Sequence, residues 1–178
     1  MNIMHSSRTD RWFTPEGIIK RVHEVLGQID LDPASEECIQ HRVKAKKILT
    51  RDAETSEWLS SPGTVFCNPP GGKSGNKSMS GIFWKKMMEE RSSGRLTHGI
   101  FLCFSIEALQ HTQRLGCESI GEFPLCIPKT RIKFDYPNGK SGVAPSHSNA
   151  IVYVPGTLNN TESFVQSFKD LGIVLNVR

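Results

Sequence analysis

Nothing in this chain approaches the run of about 18 apolar residues that a membrane-spanning helix needs. It also lacks the charged start, short apolar core and small-residue cleavage site of an exported precursor, so a cytoplasmic setting is expected. Its five cysteines (Cys38, Cys67, Cys103, Cys117 and Cys126) are an odd, irregular set with no C-x-x-C pair, which argues against a disulfide framework. Cys67, Cys103 and Cys126 lie in apolar runs and read as reduced, buried thiols. Cys38 and His41 are three apart, but no second pair at metal spacing joins them, so zinc is not expected and His41 reads as a surface or core-edge residue. There is no internal repeat, low-complexity tract or linker, and residues 1–178 read as a single domain.

What is present is ordinary for a globular protein: 37% hydrophobic and 22% charged residues. The net charge of +4 permits an anionic partner such as nucleic acid without requiring one. "TPEGIIKRVHEVLG" predicts a helix, with Thr14 as its cap, Pro15 at its first position, Glu16 at its positive end and Gly27 as its stop. Ile18, Ile19, Val22, Val25 and Leu26 keep helical spacing. "QIDLDP", "KKILT" and "TVFC" read as short strands, "SGIFWKKMMEERSS" as a helix, "HGIFLCFS" as an apolar strand and "IEALQHTQRLG" as a helix. "SIGEFPLCIP", "RIKFDY" and "AIVYVPG" read as strands, "ESFVQSFKDLG" as a helix and "IVLNV" as a last strand. The alternation predicts an α/β fold with a mostly parallel sheet and helices on both faces.

Such sheets bind ligands beyond the carboxyl ends of their strands. Three polar positions fall there: Asp32-Pro33 after "QIDL", Asp52 after "KKILTR", and Asn68-Pro69-Pro70 after "TVFC". The last is the most informative. Two prolines fix φ and push each preceding residue to an extended shape, so the Asn68 side-chain oxygen and a nearby main-chain carbonyl can point at one place. Two converging acceptors suit an –NH2 group. Holding both hydrogens favours a pyramidal nitrogen whose lone pair can attack an activated methyl carbon. A strand-to-loop turn in which Asn and Pro only set geometry stays open at this point.

The segments "DRWFTP", "IDLDPAS", "TRDAETSEW", "VFCNPP", the "FW" opening of the following helix and "PLCIPKTRIKF" occur in the order found in one family. Over about residues 10–154 the chain resembles the phage and prophage DNA N6-adenine methyltransferases of the Dam type. The resemblance implies a Rossmann-like methyltransferase fold, S-adenosyl-L-methionine as methyl donor, DNA as partner and a bacterial host cytoplasm. It implies that Trp12, Thr14 and Pro15 form an N-terminal cofactor segment, that Asp32 and Pro33 form the first cofactor motif, and that Asp52 lies near the cofactor's adenosine. Asn68, Pro69 and Pro70 match the catalytic motif. Two departures stand out: "DLDPAS" lacks the glycine-rich loop of methyltransferases generally, and Gly71 occupies the place of the aromatic residue that stacks on the flipped base.

Other readings are weaker. "GGKSGNKS" has Asn76 where a phosphate-binding loop needs glycine before its lysine. Protein glutamine-amide methylation also uses Asn-Pro-Pro, but with the glycine-rich loop, and a catalytically impaired binding module would account for Gly71. Cytosine-C5 methylation needs a thiolate from a Pro-Cys motif, whereas Cys67 follows Phe66 and Cys126 follows Leu125. Cytosine-N4 methylation shares the amine chemistry. For DNA contacts the candidates are Lys73 and Lys77 in the 71–81 loop, a flap that can close on phosphates, and Arg131 and Lys133, which share one side of "RIKFDY". Phe134 and Tyr136 on that strand are the expected holders of a flipped base. Phe83 and Trp84 are the alternative holders but read as core, and His147 in "PSHSNA" reads as loop decoration, with a place near the active site as the alternative.

Overall fold

A computed structural model describes residues 12–136, 142 and 147–176. Helix α1 (Glu16–Leu26) buries Ile18, Ile19, Val22, Val25 and Leu26, the five residues at helical spacing. It stops at Gly27, whose φ of 68° suits the residue without a Cβ. Its start differs from expectation. Pro15 is the cap rather than the first helical residue, no side chain caps the helix, and Thr14 is turned to another partner described below.

After α1 the chain forms β1 (Leu31–Asp32), the short helix α2 (Gln40–Val43), β2 (Lys47–Ile48) and β3 (Gly63–Cys67). A hairpin of β4 (Lys73–Ser74) and β5 (Lys77–Ser78) leads into α3 (Met79–Ser92) and β6 (Leu96–Cys103). Then come α4 (Ala108–Thr112), β7 (Leu125–Pro128), β8 (Ala150–Pro155), α5 (Thr161–Phe168) and β9 (Gly172–Leu175). The seven-stranded sheet has the order β2-β1-β3-β6-β8-β7-β9. β2, β1, β3 and β6 are mutually parallel. β8 runs against β6 and β7, and β9 against β7, so five of the seven strands share one direction.

Side chains alternate cleanly across the sheet, as a pleat requires. Phe66, Ile100, Leu102, Ile151 and Tyr153 join α1 and α5 in one core. Val65, Cys67, Phe101, Cys103, Val152 and Val154 join α3, Trp58 and Trp84 in the other. Phe83 and Trp84 belong to this second core, as expected. Strand order reverses between β1 and β3: from β1 the chain steps outward to β2, then returns to the opposite side. The carboxyl ends of β1 and β3 therefore flank the crevice where open α/β sheets bind ligands.

Three expectations need correction. "RIKFDY" is not a strand. It lies beyond the end of β7, where no strand among the described residues offers a ladder. It makes an isolated bridge between Asp135 and Phe13, and the Phe134 carbonyl accepts from the Gly142 N–H at 2.8 Å. "SIGEFP" is a tight turn in which the Glu122 carboxylate accepts from the Ser119 N–H at 2.6 Å, and only Leu125–Pro128 pairs. The 71–81 segment, read as a loop or flap without regular structure, contains the β4–β5 hairpin over Lys73–Ser78.

Candidate functional site

Asn68 follows the last residue of β3 at the crevice. Its amide donates to the Thr14 hydroxyl at 3.1 Å and to the Trp12 carbonyl at 3.5 Å. The Thr14 hydroxyl can accept or donate, so the orientation of the amide rests on the longer contact to the Trp12 carbonyl, which can only accept. The acceptor Oδ1 is turned the other way, and among the described residues nothing donates to it. Pro69 is buried and Pro70 exposed, which clamps one side of the turn in the core and leaves the other at the surface. Thr14 is thus an orienting residue for Asn68, a role that its place before a helix concealed.

Asp32 ends β1 across the switch point and is only 3% exposed. Burial pushes its carboxyl up to about 7, against the opposing effect of hydrogen bonds from the Ala34 N–H and the Ser35 side chain. Neighbouring backbone joins the ends of β1 and β2: Leu49 N–H donates to the Asp32 carbonyl at 3.0 Å, and Ser35 N–H to the Leu49 carbonyl at 3.2 Å. Pro33 is buried beside them. Asp52 lies further along this edge, exposed, with φ of 54°. Left-handed backbone is uncommon outside glycine, though Asp tolerates it. The turn is held by the Thr55 and Ser56 N–H groups and both hydroxyls, all donating to the Asp52 carbonyl.

The N-terminal segment 12–15 straps the site. Phe13 exchanges two backbone hydrogen bonds of 2.9 Å with Asp135, and Asp135 is ion-paired to Arg42 at 2.5 Å. Trp12, half-buried, lies against Tyr136 with ring centroids 5.0 Å apart. Phe134 does not face the site: it is 1% exposed and packs in the α1 core, which removes it as a surface for a base. Asn149, which the sequence left unmarked, is 2% exposed. It accepts from Ile132 N–H and donates to the Phe104 carbonyl, both at 2.9 Å, tying segment 131–136 to the end of β6. Either half left unpaired would cost about 1–3 kcal/mol.

Lys73 and Lys77 are exposed on the hairpin, and Arg131 and Lys133 are exposed on their segment. Arg131 and Lys129 line a cleft of about 340 Å³ with Ile106, Ser148 and Asn149, at the same edge of the sheet as Asn68. A larger cleft of about 670 Å³, lined by Arg91, Glu118 and Glu162 among others, opens at the opposite edge and has no part in this site. Burial pushes the Cys126 thiol up to about 11 and the Cys67 thiol well above its ordinary value, so neither supplies a thiolate at neutral pH. Among the described residues no group of three or more His, Cys, Asp or Glu is placed to hold a metal ion, and no helix is long and apolar enough to cross a membrane. No family model, no characterised protein and no solved structure matches this chain.

Proposed function

We propose that this chain is a Rossmann-like methyltransferase that moves a methyl group from S-adenosyl-L-methionine to the exocyclic N6 amine of adenine in DNA. The observation that carries the reading is the oriented Asn68 amide. Its nitrogen is committed to Thr14 and Trp12, so its oxygen is preset as an acceptor at the mouth of the crevice. An acceptor held in place before the reaction costs no reorganisation when the amine becomes tetrahedral and positive. Asp32, on the far side of the switch point, supplies a negative charge for the ammonium end of the donor. Trp12 and Pro15 pack along it, and Pro33 and Asp52 lie on the side of the adenosine. Pro69 and Pro70 hold the Asn68 turn extended. Lys73, Lys77, Arg131 and Lys133 lie where DNA phosphates would pass.

S-Adenosyl-L-methionine supplies the electrophilic methyl group when bound. This chain's part is to hold the amine in line, accept its hydrogens and exclude competing acceptors. Incubation with methyl-labelled S-adenosyl-L-methionine and unmethylated DNA should place label in DNA. Label in protein and none in DNA would instead support glutamine-amide methylation. A second reading, a binding module with impaired catalysis, is favoured by Gly71. That residue is exposed and has nothing within 4 Å of where a Cβ would stand, so packing does not dictate its small size. Label in DNA at catalytic turnover rejects that reading.

The Asp32 carboxyl makes a pH-dependent test. Its folded value of about 7 lies above the ordinary 3.8, so between these values the folded cofactor-free protein holds a proton that the unfolded chain has lost. The Asp32 contribution to the stability of the cofactor-free protein, read as the difference from Asp32→Asn, should therefore fall as pH rises from about 4 to 7 and level off above. His98, lowered by burial, contributes in the opposite sense in both proteins. Donor affinity should rise with pH, because the ammonium group binds the ionised carboxylate. Calorimetry is expected to show affinity rising several-fold between about pH 6 and 7.5, and Asp32→Asn should flatten that rise. A wild-type affinity that falls over this range would contradict the pairing.

A further inference from the structure

We propose that Phe104 is the surface on which the target adenine stacks. This rests on the reading of Asn68 given above and identifies a residue which that reading left open. An adenine leaving a duplex loses its stacking, a cost of a few kcal/mol that a protein ring normally offsets in part. At Gly71 there is no ring, and the space beside it is open.

The pleat shows which aromatic can take its place. β3 and β6 are parallel with Cys67 opposite Phe101, and Phe66, Ile100 and Leu102 point to the α1 face. Continuing the alternation by two residues puts Asn68 and Phe104 on that same face. Both show it directly: Asn68 contacts Thr14 and the Trp12 carbonyl, and Phe104 packs on Phe134 with ring centroids 6.2 Å apart. In this register Asn68 is level with Leu102, so Phe104 lies one strand over and two residues on, about 8 Å away by strand spacing and rise. That offset leaves room for a purine held by its amine at Asn68.

Phe104 is also braced as a platform. The buried Asn149 amide fixes its carbonyl, Phe134 backs its ring, and the exposed His147 lies beside it at 5.6 Å. Unlike Phe134, it is only half-buried. The aromatics singled out from the sequence for this role fail on placement. Phe83 and Trp84 are buried on the opposite face, Phe134 is enclosed, and Tyr136 is engaged with Trp12. Beyond Phe104, the cleft with Lys129 and Arg131 adjoins through Asn149, where phosphates flanking an extruded base would lie.

Phe104→Leu keeps apolar volume against Phe134 while removing the ring face, and Phe104→Tyr keeps the ring. With duplex DNA from a methylation-deficient host, Phe104→Leu is expected to raise KM for DNA or lower kcat at least tenfold. S-Adenosyl-L-methionine affinity should stay unchanged, and Phe104→Tyr should restore most of the activity. Normal methylation by Phe104→Leu would overturn the proposal and leave the methyltransferase reading intact. Parallel loss of donor affinity, or failure of the Tyr variant to restore activity, would overturn it by marking Phe104 as a packing residue. Absence of methyl transfer by the unaltered chain would sink the methyltransferase reading and this inference with it.

Discussion

Asn68→Ala is expected to lower turnover on adenine-containing DNA by about a hundredfold or more, with little change in donor affinity. The acceptor oxygen of Asn68 gains most as the amine nitrogen becomes pyramidal and positive, so its loss falls on the transition state more than on bound substrate. Removal of one preset donor or acceptor of this kind costs about a hundredfold to a thousandfold in other enzymes. Thr14 sharpens the prediction, because its hydroxyl accepts the Asn68 amide hydrogen. A variant with intact Asn68 but no Thr14 hydroxyl should lose part of the rate, since the amide would then be free to rotate. Single-turnover rates and calorimetry on the same preparations check both statements. An Asn68→Ala protein that keeps most of its turnover would show that Asn68 only shapes the turn.

The second large effect is expected at Asp32. Asp32→Ala should weaken S-adenosyl-L-methionine binding at least tenfold, a loss of about 1.4 kcal/mol or more. A carboxyl this buried is a liability to the empty protein, because desolvation disfavours its charged form and no cation among the described residues is paired with it. The same substitution should therefore leave the cofactor-free protein as stable as wild type at neutral pH, or more so. Stability and affinity moving in opposite directions is the signature of a group kept for a ligand. A variant that loses both would make Asp32 a structural residue.

Much of this arrangement was legible because its signals are local. The five apolar residues of α1 recur at helical spacing, β3 and β6 are short apolar runs between punctuating residues, and Asn68 is flagged by the prolines that follow it. The polar ends of β1 and β3 could be singled out because parallel sheets place ligand sites there whatever the sequence between. What could not be read depends on partners far along the chain. Asn149 ties residues 17 and 45 positions away, and Arg42 meets Asp135 across 93 positions, with no nearby pattern to announce either. Thr14 had a sound local reading as a helix cap, and Asn68 overrode it from 54 residues away.

The "RIKFDY" segment shows a different limit. Its alternation is real: Ile132 and Phe134 are buried, Arg131 and Lys133 exposed. Period two requires only extended backbone with one buried side. Whether a ladder forms depends on a neighbouring strand, and among the described residues none lies alongside 131–136. The same segment therefore kept its two basic residues at the surface while enclosing the ring expected to hold a base.

The most direct measurement is mass spectrometry of nucleosides from DNA incubated with S-adenosyl-L-methionine and either wild-type or Asn68→Ala protein. N6-methyladenine is expected from the wild type, and about a hundredth of that amount or less from the variant at equal time. N4-methylcytosine would preserve the amine chemistry and reject the base. No methylated nucleoside from wild-type protein that binds the donor, or equal yields from both proteins, would contradict the central claim.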